Sequence, residues 1–155
     1  MRQLGSVDLL AACHPDIIID EREKIEVRRL VAHPLLLLDV GFGFRRAFDA
    51  ACRLARVEPR IRFESRSPHT LLALAEAGLG VAIIPSALRT DRYALRLYGV
   101  AYRGRLLRQE LTLLWDKRRI LPPYATAFCE TWVAQAAQVL PISRPTSAGN
   151  RKPDS

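Results

Sequence analysis

Between Leu35 and Ser86 short apolar runs alternate with amphipathic stretches: LLLL, FRRAFDAACRLAR, IRF, PHTLLALAEAG and VAII. The apolar runs, Leu35–Leu38, Ile61–Phe63 and Val81–Ile84, are too short for helices and rich in residues that suit a buried pleat. The stretches between them are long enough to be crossover helices. In Phe44–Arg56, Phe44, Ala47, Phe48, Ala51 and Ala55 share one face at a 3.6-residue period, and Arg45, Arg46, Asp49, Arg53 and Arg56 lie mainly on the other. Ser67-Pro68 predicts a second helix start, with a hydroxyl cap and a proline where no N–H is needed. Leu71, Leu74 and Ala75 form its buried stripe and Gly78 its stop. Strand, helix, strand, helix, strand at these lengths predicts a parallel sheet with helical crossovers.

The flanks are less regular. Val7–Ala12 predicts a short strand, and Ile25–Ala32 predicts two helical turns ended ahead of Pro34. Tyr93–Tyr102 and Glu110–Trp115 predict further strands. Pro122-Pro123 opens a helix with Ala125, Phe128, Cys129, Trp132 and Ala136 on one face. The segment from Pro141 onward lacks apolar periodicity and is expected to be disordered.

Ligands of open parallel sheets sit beyond the carboxyl ends of the strands. Those ends carry Gly41-Phe42-Gly43, Ser65-Arg66-Ser67-Pro68 and Pro85-Ser86. Both helices follow parallel strands, so both amino ends are expected on one edge, where unpaired amides and the dipole favour an anion. Ser65, Ser67, His69 and Thr70 would add polar groups there, beside Arg45 and Arg66. A dinucleotide fingerprint fails, because Arg46 stands where the third glycine is needed. Read one at a time, the same residues have plainer roles: Gly41-Phe42-Gly43 as a tight turn, Ser67 as a cap, His69 as a solvated early-helix residue.

Composition narrows the classes. The 155 residues suit one ordinary domain, and 49% hydrophobic with 26% charged residues is globular composition. A net charge of +8, nearly all arginine, is spread along the chain and not interleaved with aromatics, which weakens a nucleic-acid reading. Cys13, Cys52 and Cys129 have neither disulfide nor zinc spacing and point to a reducing cytoplasm, with Cys52 in a helix core. The start lacks a signal peptide's apolar core and no run of 18 apolar residues occurs. No nucleophile elbow or metal-binding histidine pair is present, so no catalytic residue, metal or cofactor is assigned.

The segment PLLLLDVGFGFRRAFDAACRLARVEPRIRFESRSPHTLLALAEAGLGVAIIPS resembles the effector-binding domain of LysR-type transcriptional regulators. Pro34-Leu35-Leu36, Pro59 before the strand ending at Glu64-Ser65, and Leu71 and Leu74 leading into Ala77–Pro85 carry the likeness. LLAACHPD with EKIEVRRLVAHP, and ELTLLWDKRRILPPYATAFCETWVA, extend it to roughly residues 4–140. The resemblance implies an α/β, periplasmic-binding-protein-like (type II) fold: a second lobe over residues 8–108, with a parallel-core sheet flanked by helices, and a partial first lobe over 109–140. It implies a non-enzymatic sensor in which a small effector, often a carboxylate, lies between the lobes. The effector-facing residues would be Gly41, Phe42, Gly43, Phe44, Ser65, Arg66, Ser67 and His69, with Pro85 and Ser86 on the rim. The winged helix-turn-helix of the family would be missing, so DNA would be reached only through that absent domain. Apolar surface near the last helix and self-association are expected. The rivals are a stand-alone cytoplasmic carboxylate-binding module, a non-functional gene remnant and an arginine-rich nucleic-acid binder.

Overall fold

The computed structural model describes residues 1–116 and 118–139. The expectation of a disordered tail from Pro141 lies outside the described residues. The elements are β1 (Arg2–Cys13), β2 (Lys24–Glu26), α1 (Val27–Leu30), β3 (Pro34–Leu38), α2 (Gly43–Ala55), β4 (Arg60–Ser65), α3 (Pro68–Glu76), β5 (Val81–Pro85), β6 (Arg96–Tyr102), β7 (Arg105–Leu106), β8 (Arg108–Leu113) and α4 (Pro123–Val139).

The strands form a mixed sheet in the order β2-β6-β1-β5-β3-β4, with β7 beside β6 and β8 beside β1. The expected parallel core is present: β3 runs parallel to both β4 and β5. β1 is antiparallel to β5, β6 and β8. Its 12 residues serve two sheet regions. Arg2–Asp8 pairs with Leu113–Arg108, and Leu9–Cys13 pairs with β5 and β6. The strand expected at Val7–Ala12 is therefore only the inner half of a longer crossover.

Apolar residues fill both faces of the central strands, which is why they read as unbroken hydrophobic runs. Leu35, Leu37, Val81 and Ile83 face α1 and α2, in one cluster with Leu30, Phe48, Ala51 and Cys52. Leu36, Leu38, Ala82 and Ile84 face α3, meeting Leu71, Leu72 and Ala75. β4 is the edge, and Ile61 and Phe63 remain 41% and 44% exposed there. The glycines of the Ala77–Gly80 link are steric necessities. Gly78 ends α3 at φ +78°, and a Cβ on Gly80 would stand 2.7 Å from the Pro34 carbonyl.

Several expectations need correction. Lys24–Glu26 forms a strand parallel to β6, leaving α1 only Val27–Leu30. Ile25 is fully buried in that strand, so sheet pairing outweighs the helical spacing. Tyr93 lies in a turn ahead of β6, with its amide on the Thr90 carbonyl. On α2 the buried stripe is Arg45, Phe48, Ala51, Cys52 and Ala55, rotated toward Arg45 from the expected face. On α4, Ala136 is fully buried but Phe128 is 68% exposed, so the expected face is only partly covered.

Candidate functional site

The parallel pairing of β3 and β4 sets Leu38 opposite Ser65, so α2 and α3 start from adjacent strand ends on one edge. The Asp39 amide donates to the Ser65 carbonyl at 3.0 Å, which fastens the two ends together. Asp39 then shapes the turn. Its carboxylate accepts from the Gly41 amide at 2.9 Å and its carbonyl from the Phe42 amide at 3.1 Å. α2 begins at Gly43, and among the described residues no side chain caps it. Its first-turn amides have no intrahelical acceptor and, among those residues, meet no capping oxygen.

α3 is finished differently. The Ser67 hydroxyl accepts from the Thr70 amide at 3.4 Å, and the Ser65 hydroxyl accepts from the Ser67 amide at 3.0 Å. Both hydroxyls thus shape the turn. Arg66 is exposed. His69 Nδ1 lies 3.2 Å from the Tyr93 hydroxyl, with the two rings stacked at 6.2 Å. Since β5 is parallel to β3, Pro85 and Ser86 arrive at the same edge. Ser86 then turns toward β1: its hydroxyl accepts from the Asp8 amide at 3.0 Å, and its own amide donates to the Asp8 carbonyl at 2.8 Å.

Arg45 does not join the rim. Its side chain is 6% exposed, and Nε donates to Asp49 at 3.0 Å while Nη1 donates to Glu64 at 2.7 Å and to the Leu38 carbonyl at 2.8 Å. Burial lowers its proton affinity, but the bonds to Glu64 and Asp49 outweigh that and raise its pKa above the ordinary arginine value. It is a structural cation under the rim. A residue the sequence did not single out takes a place there: Gln109 of β8, whose Nε2 donates to the Gly43 carbonyl at 3.3 Å. The contact spans 66 positions, so no local pattern announces it. Beside it, Arg108 and Asp8 pair at 2.5 Å where β1 passes between its two sheet regions.

Cys13 and Cys52 are buried, and burial pushes both thiols up to about 11, so neither is a nucleophile at neutral pH. Among the described residues no cluster of metal-ligating side chains occurs. No described helix is long and apolar enough to cross a membrane.

A lobe of parallel-core sheet, with paired helix starts on one edge and a long strand leaving it, is a type II periplasmic-binding-protein-like arrangement. Sequence comparison agrees: the LysR substrate binding domain profile matches residues 1–137. The chain belongs to that family, and its similar proteins are transcriptional regulators. One is the uncharacterized HTH-type transcriptional regulator YybE of Bacillus subtilis (strain 168), 26% identical over 126 residues, which span 81% of this chain and 42% of that protein. Another is YcgK of the same organism, also an uncharacterized HTH-type transcriptional regulator, 36% identical over 59 residues, 38% of this chain and 18% of that one. The chain therefore spans less than half of these curated relatives.

Solved structures share the fold. The regulatory domain of MetR, a LysR family regulator from N. meningitidis, superposes with TM-score 0.73 at 14% identity, covering 94% of this chain and 68% of that one. The effector binding domain of QuiR in complex with shikimate gives 0.69 at 14%, covering 88% and 65%. The Synechocystis PCC6803 CcmR regulatory domain in complex with 2-PG gives 0.68 at 15%, covering 86% and 64%.

Proposed function

We propose that this chain is the effector-sensing part of a LysR-type regulator and acts by binding, not by catalysis. Residues 8–108 would form the second lobe and 109–140 a portion of the first. Its effector would be a small anion, a carboxylate above all, held by Gly41–Phe44 and Ser65–His69 with Pro85 and Ser86 at the rim. The observation that carries this reading is the uncapped start of α2 beside the start of α3 on adjacent parallel strand ends. Such ends concentrate amide donors and positive dipole. Similar folds captured with shikimate and with 2-PG support the small-molecule class. DNA would be reached through a helix-turn-helix not included in these residues, in the cytoplasm, with self-association as in other regulators of the family.

Effector binding would bias the assembly only through different affinities for its two arrangements. With much of the opposite wall supplied from outside these residues, a single rim binds weakly. Calorimetric titration with a panel of small carboxylates should give saturable heats no tighter than about millimolar, roughly 4 kcal/mol. Micromolar binding would show that the second wall is unnecessary. Absence of saturable heat with every carboxylate would remove the anion reading.

A further inference from the structure

We infer that a second anion-binding site lies beside the rim, in the hollow between α3 and the β5–β6 loop. This hollow has a volume of about 550 Å³ and is lined by His69, Leu88, Arg89, Asp91, Arg92 and Tyr93. That volume is in the range of small-molecule sites.

The loop that walls the hollow is held by its own backbone hydrogen bonds and by a tie to α3. The loop begins with the Leu88 amide on the Pro85 carbonyl at 3.2 Å and closes with the Tyr93 amide on the Thr90 carbonyl at 3.0 Å. Its far end is tied to α3, where the Glu76 carboxylate accepts from the Ala94 amide at 2.7 Å. Leu88 and Tyr93 pack against the core cluster of Leu71, Leu72 and Ala75, which fixes the floor. The Tyr93 ring stacks on His69 with an interplanar angle of 23°, holding the imidazole at the edge of the hollow.

Charge selects the occupant. Neither Arg89 nor Arg92 has a carboxylate partner among the described residues. Asp91 is the one carboxylate in the lining, so the two guanidiniums outnumber it. A guanidinium fork matches a phosphate or carboxylate in bidentate fashion. The occupant is therefore the anionic group of a small molecule, and Asp91 remains to accept from a hydroxyl or amine on the same ligand. This site shares only His69 with the rim and does not rest on it.

Arginine labelling with phenylglyoxal, mapped by mass spectrometry with and without inorganic phosphate or acetate at matched ionic strength, tests the inference. With phosphate a few times above its Kd, labelling of Arg89 and Arg92 should slow about fivefold, as mass action requires. Arg60 and Arg62, exposed on β4, should label at an unchanged rate. Acetate protecting the same pair would identify carboxylates as ligands, and phosphate alone would identify phosphorylated ones. In a second measurement the rise in melting temperature that phosphate produces should shrink in Arg89→Gln/Arg92→Gln, whose sites are exposed and tolerate exchange, leaving only the share that the rim contributes. No protection, or equal slowing at all four arginines, would overturn the site. The rim reports separately through the amides of Gly43 and Ser65, so failure of one site is distinguishable from failure of the other.

Discussion

The Arg45 guanidinium donates to the Glu64 carboxylate at 2.7 Å, joining the first turn of α2 to the end of β4 from beneath the rim. The same guanidinium holds Asp49 and the Leu38 carbonyl. One buried cation thus sets the spacing between the strand ends from which both helices start.

Replacing Arg45 with methionine should destabilise the fold by about 2 kcal/mol. A fully buried broken pair costs more, but Glu64 is 44% exposed and recovers water. Urea unfolding of Arg45→Met, Glu64→Gln and the double variant forms a cycle that should return a favourable coupling. Additive losses would mean that the pair contributes nothing.

Gly80→Ala should cost about 1–3 kcal/mol, because its Cβ meets the Pro34 carbonyl at 2.7 Å and neither backbone can yield without disturbing the β3–β5 pairing. Gly78→Ala should cost about 1 kcal/mol for a different reason, the positive φ, since nothing stands near its Cβ. Thermal melts of the two variants check the order, and a Gly80→Ala protein melting like the parent would refute the close approach.

Alkali should weaken the protein through its thiols. Burial raises Cys13 and Cys52 from 9.0 to about 11 in the folded state. The unfolded chain loses these protons first, so the stabilisation is complete below about pH 9 and lost between pH 9 and 11. Two pK units correspond to about 2–3 kcal/mol per thiol. Cys13→Ala/Cys52→Ala should flatten the alkaline limb of the stability curve, and an unchanged limb would contradict the burial argument. At pH 8 a thiol reagent should modify Cys129, which is half-buried, well before the other two.

Ser86→Ala removes the oxygen that accepts from the Asp8 amide at the point where β1 passes between its two sheet regions. The loss should be about 1 kcal/mol. Hydrogen exchange is the sharper reading: the Asp8 amide should exchange faster while Leu10 and Ala11, bonded deeper in the sheet, keep their protection.

The parallel core was legible because Leu35–Leu38 and Val81–Ile84 are buried on both faces and so carry no competing pattern. The start of α3 was legible from Ser67-Pro68, whose cap bond forms as expected. What stayed hidden depends on distant partners. Ile25 is a strand residue only because β6 lies beside it, and Arg45 reads as a solvent-facing arginine until Glu64 is brought near. Gln109 is similarly silent, since its contact with Gly43 follows from the course of β8. The outer half of β1 needed β8 as well, for RQLGSV has little apolar alternation of its own.

The rim itself is tested most directly by titrating the ¹⁵N-labelled chain with small carboxylates and following each backbone amide. Saturable shifts should concentrate at Gly43, Phe44, Ser65 and Arg66, with Ile61 and Leu113 still. Shifts centred away from both helix starts, or none at any carboxylate concentration, would contradict the assignment of this edge as the effector's seat.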